Sequence, residues 1–187
     1  MTQRSDKIFA AIRLNGGIDI NILLQSVVDR LQSNKLSVQG YLQKEIMLPD
    51  RCKCDTYLEN LMNGDQIKIS QDLGNGARGC KLDNSMLLKL SDIAMRDLDL
   101  IPDLLIVNRF GRSEAEGGGF RDVIGKAISM GIPVLTAVKE EHYPDWKLFS
   151  DELGCELPSD CENVLDWYGG ILRTTIGEAN KHVSTAR

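Results

Sequence analysis

The apolar positions fall into runs and stripes that spell out alternating strands and helices. Ile8-Phe9-Ala10-Ala11-Ile12 is a short unbroken apolar run, the kind of segment that a parallel strand buries on both faces. It breaks at Leu14-Asn15-Gly16-Gly17. Ile20, Leu23, Leu24, Val27, Val28 and Leu31 then recur at helical spacing, with Asp19 placed as the N-cap. Ser37 to Gln43 alternates loosely around Val38, Tyr41 and Leu42 and predicts a second strand. Together these segments form a β-α-β crossover, which implies a parallel sheet.

The pattern changes between residues 44 and 79. Thr56 to Leu61 and Gln66 to Ser70 are β-like runs separated by Met62-Asn63-Gly64-Asp65. Asn-Gly between such runs predicts an antiparallel hairpin inserted into the main sheet. Leu73 to Gly79 is too rich in glycine for regular structure. Alternation resumes with a helical stripe, Leu87, Leu90, Ile93, Ala94 and Leu98, capped by Asp83 or Asn84. Leu104 to Val107 is the strongest buried-strand signal in the chain. Gly117-Gly118-Gly119 leads into a helix through Phe120, Val123, Ile124, Ala127 and Ile128, which Gly131 and Pro133 close. Pro133 to Val138 is another buried strand. Two helices follow, the second opened by Ser159 and Glu162 at capping-box spacing, and His182 falls in a polar tail. The expectation is a single domain over residues 1–187: an α/β fold with a three-layer parallel sheet and an inserted hairpin.

The chain has 187 residues, 42% of them hydrophobic and 26% charged, which suits a well-packed globular core. At this length folding buries roughly 70% of the surface of the unfolded chain, so no metal or disulfide is required. With 22 basic and 27 acidic residues the net charge is -5, which argues against a nucleic-acid partner held by bulk charge. No apolar run is long enough to insert into a membrane. Five cysteines cannot all pair, and the amino end lacks a long apolar leader, so the cytoplasm is the expected compartment. A homo-oligomer is compatible with this composition.

In an open parallel sheet, ligands bind beyond the carboxyl ends of the strands. The loops after the first strand, after Val107 and after Val138 should therefore meet, bringing Gly16, Asn108, Arg109 and Lys139 to one edge. Gly16-Gly17 before a helix offers backbone amides to an anion, although the lysine and hydroxyl residue of a phosphate-binding loop are absent. Asn108 stands where a hydrolase of this architecture would end the strand in a magnesium-binding carboxylate, and an amide is a weak ligand for a hard cation. Arg109 and Arg112 add positive charge, Glu114 a carboxylate, and Gly117, Gly118 and Gly119 the free amides of a helix start. His142, following Glu140-Glu141, falls at the same edge.

Asp103 to Gly117, continued by Gly131 to Val138, resembles a bacterial family catalogued as a domain of unknown function, some members of which accompany molybdate-transport genes. Ile69 to Gly74 and Gly79 to Asp83 are similar to that family's other signature. More distantly, the layout is similar to small nucleoside-triphosphatases of the P-loop class. That resemblance implies a P-loop-type fold, with Asn108-Arg109 in place of the acidic magnesium-binding pair and Glu114 matching a glutamate of the active-site loop. It also implies a small anionic ligand, with nucleotide and Mg as the cofactor expected from the fold. The reading is a protein that binds a nucleotide, phosphate or related oxyanion without efficient hydrolysis. The alternatives are a divergent nucleoside-triphosphatase, with Asp19, Asp72 or Glu114 on magnesium, or a metal or molybdate handler built on Cys52, Cys54 and Cys80. Thiolates are soft ligands and basic neighbours favour them, which makes Cys54 and Cys80 the candidate metal pair.

Overall fold

The fold comes from a computed structural model, described here for residues 7–14, 17–47, 54–71 and 81–184, with backbone alone for Cys54, Lys81 and residues 175–184. Strand β1 (Phe9–Leu14) leads to helix α1 (Ile20–Ser33) and strand β2 (Val38–Met47). The hairpin follows as β3 (Cys54–Asn60) and β4 (Gln66–Lys68), with a separate two-stranded pair, β5 (Ser70–Gln71) and β6 (Lys81–Leu82). Helix α2 (Asn84–Asp97) precedes β7 (Leu104–Phe110). A single turn, α3 (Arg112–Ala115), then α4 (Arg121–Ser129), β8 (Val134–Lys139), α5 (Tyr143–Ser150), β9 (Gly154–Leu157) and α6 (Cys161–Ser184) complete the order.

The main sheet runs β4-β3-β2-β7-β8-β1-β9. From β2 to β9 every pairing is parallel, and β3 and β4 add antiparallel strands at one edge. The continuous apolar runs explain the centre: β7, β8 and β1 lie side by side with helices on both faces. Helices α1 and α6 cover one face, packing Leu24, Val28, Val164 and Trp167 against Ala10, Ile106 and Leu135. Helices α2, α4 and α5 cover the other, with Leu90, Ile124 and Trp146 against Phe9, Leu105 and Val134. Chain direction reverses between β1 and β8: α1 carries the chain from β1 to β2, whereas α5 carries it from β8 to β9. That is the topological switch point of a doubly wound sheet.

The caps follow the chemistry of short acceptors. Asp19 accepts from Asn21 N–H at 2.9 Å, and Asp83 accepts from the N–H groups of Ser85 and Met86. At α6 the sequence pairs Ser159 with Glu162, but Asp160 does the capping, accepting from Asn163 N–H at 2.9 Å. Two further differences concern length. β2 runs on to Met47 because β3 pairs with it over its whole outer half, from Tyr41↔Asn60 to Met47↔Cys54. Between α5 and α6 lies β9, a four-residue edge strand that pairs only with β1, too short to show a period. His182 lies within the span of α6.

Gly40 marks the closest approach in the sheet. It sits in β2 at φ +115°, and a Cβ there would run into the backbone carbonyl of Ile106 on β7. Only glycine allows the two strands to meet so closely.

Candidate functional site

β7 carries the feature that builds the site. Val107 pairs with Thr136 and Phe110 with Val138, so β7 spends one more residue than β8 over the same span. This is a β-bulge at Asn108-Arg109. A bulge re-aims the side chains around it and commonly sits beside a functional site. Phe110 returns to the α5 face, stacked on Phe149 at 5.8 Å.

Beside the bulge lies a cavity of about 240 Å³. Asn108, Arg109, Lys139, Glu141 and His142 line it at the carboxyl ends of β7 and β8. Tyr41, Leu58, Ile69, Leu87 and Phe120 form its apolar walls, contributed by β2, β3, the segment after β4, α2 and the start of α4. The rings of Tyr41 and Phe120 are 5.6 Å apart. Asn108 is 6% exposed, and among the described residues neither its Oδ1 nor its Nδ2 has a hydrogen-bond partner. Arg109 Nε is likewise buried without a partner. Unpaired polar atoms in a native interior are rare enough to need a reason, and a ligand is one. Lys139 Nζ stands 4.0 Å from Glu141 Oε1, and His142 Nε2 stands 3.5 Å from the same oxygen.

Glu114 has a different task. It is 6% exposed; Oε2 accepts from Gly111 N–H at 2.9 Å and Oε1 from Phe120 N–H at 3.0 Å. The carboxylate thereby ties the two ends of the loop between β7 and α4. Its backbone oxygen takes a third bond, from Arg121 at 2.9 Å, and the Arg121 guanidinium also lies 4.1 Å from the Phe149 ring centre. The glycines are drawn into the same knot. Gly117 N–H donates to Glu114 O and Gly118 N–H to Ser113 O, so these two amides are already spent. Gly119, at φ +57°, leaves room for Oε1 of Glu114 where a Cβ would stand. Arg112 is mostly exposed and paired with Glu116 at 2.7 Å, which raises the guanidinium pKa.

The switch point is occupied by protein charge. Arg13, at the end of β1, grips Glu140 with two bonds, Nε to Oε2 at 2.7 Å and a second to Oε1 at 2.5 Å. Its guanidinium lies over the Tyr143 ring at 4.2 Å, and Tyr143 donates to Glu156 at 2.9 Å. The hydrogen bond from Arg13 holds the Glu140 carboxyl below its ordinary pKa. Gly17 follows in the left-handed region at φ +85° and does not line the cavity. Gly16, Asp72, Cys52 and Cys80 lie outside the described residues, as does the side chain of Cys54, so the candidate metal pair of Cys54 and Cys80 falls outside them too. Among the described residues no group of three His, Cys, Asp or Glu side chains is placed to hold a metal ion.

Asn108, Arg109, Arg112 and Glu114 therefore share one cavity wall, with Lys139 joining them from the end of β8 and His142 from the turn after it. The apolar side of the cavity was not legible as a site. Its only sequence signal is strand parity, which puts Tyr41 and Gln43 on one face of β2.

Residues 9–167 match the family described as Protein of unknown function (DUF2478). The chain belongs to this family. It is also 33% identical over 159 residues to the Molybdenum import ATP-binding protein ModC 2 of Bradyrhizobium diazoefficiens, a match that covers 85% of this chain and 18% of that protein. The chain thus spans about a fifth of the length of that relative. Among solved structures, a human cancer-related nucleoside triphosphatase superposes with a TM-score of 0.63 at 15% identity, over 90% of this chain and 96% of the other. THEP1 from Aquifex aeolicus superposes with a TM-score of 0.57 at 14% identity, over 83% and 91% of the two chains. The fold is that of the P-loop nucleoside triphosphatases: a mostly parallel sheet between helices, extended here by the antiparallel hairpin. Among the described residues no helix is long and apolar enough to cross a membrane.

Proposed function

We propose that this chain is a cytoplasmic protein that binds a small phosphate-bearing anion, a nucleotide foremost, at the carboxyl ends of β7 and β8, and that it does not hydrolyse it efficiently. The observation that carries the reading is the meeting of Arg109, Lys139 and His142 at one cavity beside the unpaired amide of Asn108. Cations and donors at this edge of a doubly wound sheet suit an anionic ligand, although the whole chain is acidic. The ATP-binding name of the Bradyrhizobium relative and the triphosphatase fold support a nucleotide in particular.

The same residues fit magnesium poorly. The fold implies a carboxylate at the end of β7, where this chain has Asn108. Of the described carboxylates considered for the metal, Glu114 accepts from two backbone N–H groups and Asp19 caps α1. Phosphoryl transfer depends on metal and fixed cations to stabilise its transition state. A binding role without efficient turnover is the consistent reading. A second reading, a molybdate-type oxyanion in the same place, is favoured by the molybdenum-import name of the same relative.

Thermal-shift titrations with ATP, GTP, phosphate, molybdate and tungstate, each with and without magnesium, test both readings. A ligand of the native state raises stability by mass action. Stabilisation by nucleotide, with no magnesium-dependent release of phosphate, is the expected result. Stabilisation by molybdate and tungstate alone would move the assignment to the second reading, and no shift with any of the five would overturn both.

A further inference from the structure

Asn108 is the most unusual residue in the cavity. Its amide carries one acceptor oxygen and a two-hydrogen donor nitrogen side by side. Both are buried and neither is paired. Much of the wall around it is hydrocarbon and rings: Tyr41, Leu58, Ile69, Leu87 and Phe120. An oxyanion alone would fill only the polar side of such a space, because the aliphatic walls offer it no donors to replace its water. The volume, about 240 Å³, is also many times that of one water.

A flat, largely apolar group with hydrogen-bonding atoms along one edge satisfies all three conditions. Its faces lie against aliphatic and aromatic walls, its edge completes the amide, and a charged substituent reaches Arg109 and Lys139 on the cavity's polar side. Asparagine is well matched to such an edge, because it reads a base by accepting from an N–H and donating to an adjacent acceptor. We propose that the cavity takes a nucleobase, and that Asn108 is the residue that reads its edge.

This inference rests on the reading of the cavity as the ligand site and deepens it. It names the part of the ligand that the apolar walls receive. The bulge at Asn108-Arg109 then has a purpose: consecutive residues are released from regular pairing, one for the base and one for the phosphate.

Calorimetric titration with AMP, GMP, ribose 5-phosphate, inorganic phosphate, adenosine and guanosine tests it. At least one of the two nucleotides should bind about tenfold or more tightly than ribose 5-phosphate. Asn108→Leu should weaken nucleotide binding far more than it weakens ribose 5-phosphate binding. It should also keep or raise the melting temperature, since it removes an unpaired polar group. Asn108→Asp, which keeps the shape and loses the donor, should reduce the preference as well. Equal affinity of the wild type for nucleotides and ribose 5-phosphate, or equal weakening of every ligand by Asn108→Leu, would overturn the inference while leaving the anion site standing. Binding of a nucleoside without any binding of phosphate or ribose 5-phosphate would support the base pocket and overturn the anion reading. No binding of any of the six compounds would overturn both.

Discussion

Glu114 and Gly119 occupy each other's space: a Cβ on Gly119 would land on Oε1 of the buried carboxylate, which is the atom that holds Phe120 N–H. The glycine is therefore part of the hydrogen-bond knot that shapes the loop after β7. Glu114→Ala should cost about 2–3 kcal/mol in a denaturant melt, because it leaves the N–H groups of Gly111 and Phe120 without their acceptor. Gly119→Ala should cost a similar amount in the native background. In a Glu114→Ala background it should cost only about 1–2 kcal/mol, the ordinary penalty of a left-handed residue, with the close approach to Ser113 Cβ remaining. Simple additivity of the two changes would show that the pair is not coupled.

Arg109 should separate binding from stability. Its Nε is buried and unpaired, so the side chain supports little of the fold. Arg109→Ala should weaken nucleotide or phosphate binding by about 1–3 kcal/mol while the denaturant midpoint stays in place. Unchanged affinity, with the circular dichroism spectrum intact, would put the anion in another loop.

Gly40→Ala should be among the most damaging single-methyl additions in the sheet. The new Cβ meets the Ile106 carbonyl of the neighbouring strand, so β2 must move away from β7. We expect a loss of about 3 kcal/mol or more in equilibrium unfolding. Tyr41 on β2 and Val107 on β7 both line the cavity, so ligand affinity should fall with stability. Retained affinity in a destabilised but folded variant would show that the strand contact does not shape the site.

Tyr168 should make the protein sensitive to alkali. Its hydroxyl is buried without a partner, and burial, aided by the charge of Asp103, pushes its pKa from 10.0 to about 12. The native state therefore holds the proton after the unfolded state has lost it. That advantage to the unfolded chain is absent below pH 10 and grows as pH rises toward 12, reaching at most about 3 kcal/mol. Tyr168→Phe should leave stability at pH 7 unchanged or slightly higher and should flatten the decline between pH 10 and 12. A decline of equal steepness in the variant would assign the effect elsewhere, with Tyr41, also raised to about 12, the next group to replace.

The frame was legible wherever burial is two-sided or a cap is needed. Phe9 to Ile12, Leu104 to Val107 and Val134 to Val138 announce buried strands because Thr136 alone interrupts their apolar runs, and Asp19 and Asp83 announce helix starts. Asn63-Gly64 announces the hairpin in the same way. What escaped depends on pairing rather than on period. β9 is four residues held by one neighbour, and the outer half of β2 is a strand only because β3 lies against it. At the site, Asn108, Arg109 and Lys139 could be placed at one edge because Asn108-Arg109 and Lys139 directly follow apolar runs. Glu114 could not be told from a ligand, because its partners are backbone N–H groups that no side-chain pattern records. The apolar walls escaped for a similar reason: Leu58, Ile69 and Leu87 look like any other core residues until the fold leaves a space between them.

The grip of Arg13 on Glu140 has a consequence for where charge can be accepted. The protein supplies its own counter-ion at the junction of β1 and β8, with Glu156 close behind. An anion arriving there would have to evict a carboxylate, and the exchange would bring that corner no net neutralisation. Two strands across the sheet, Arg109 offers no such exchange. The guanidinium nearest the switch point is the one already spoken for, and the sheet's open valence has moved to the bulge.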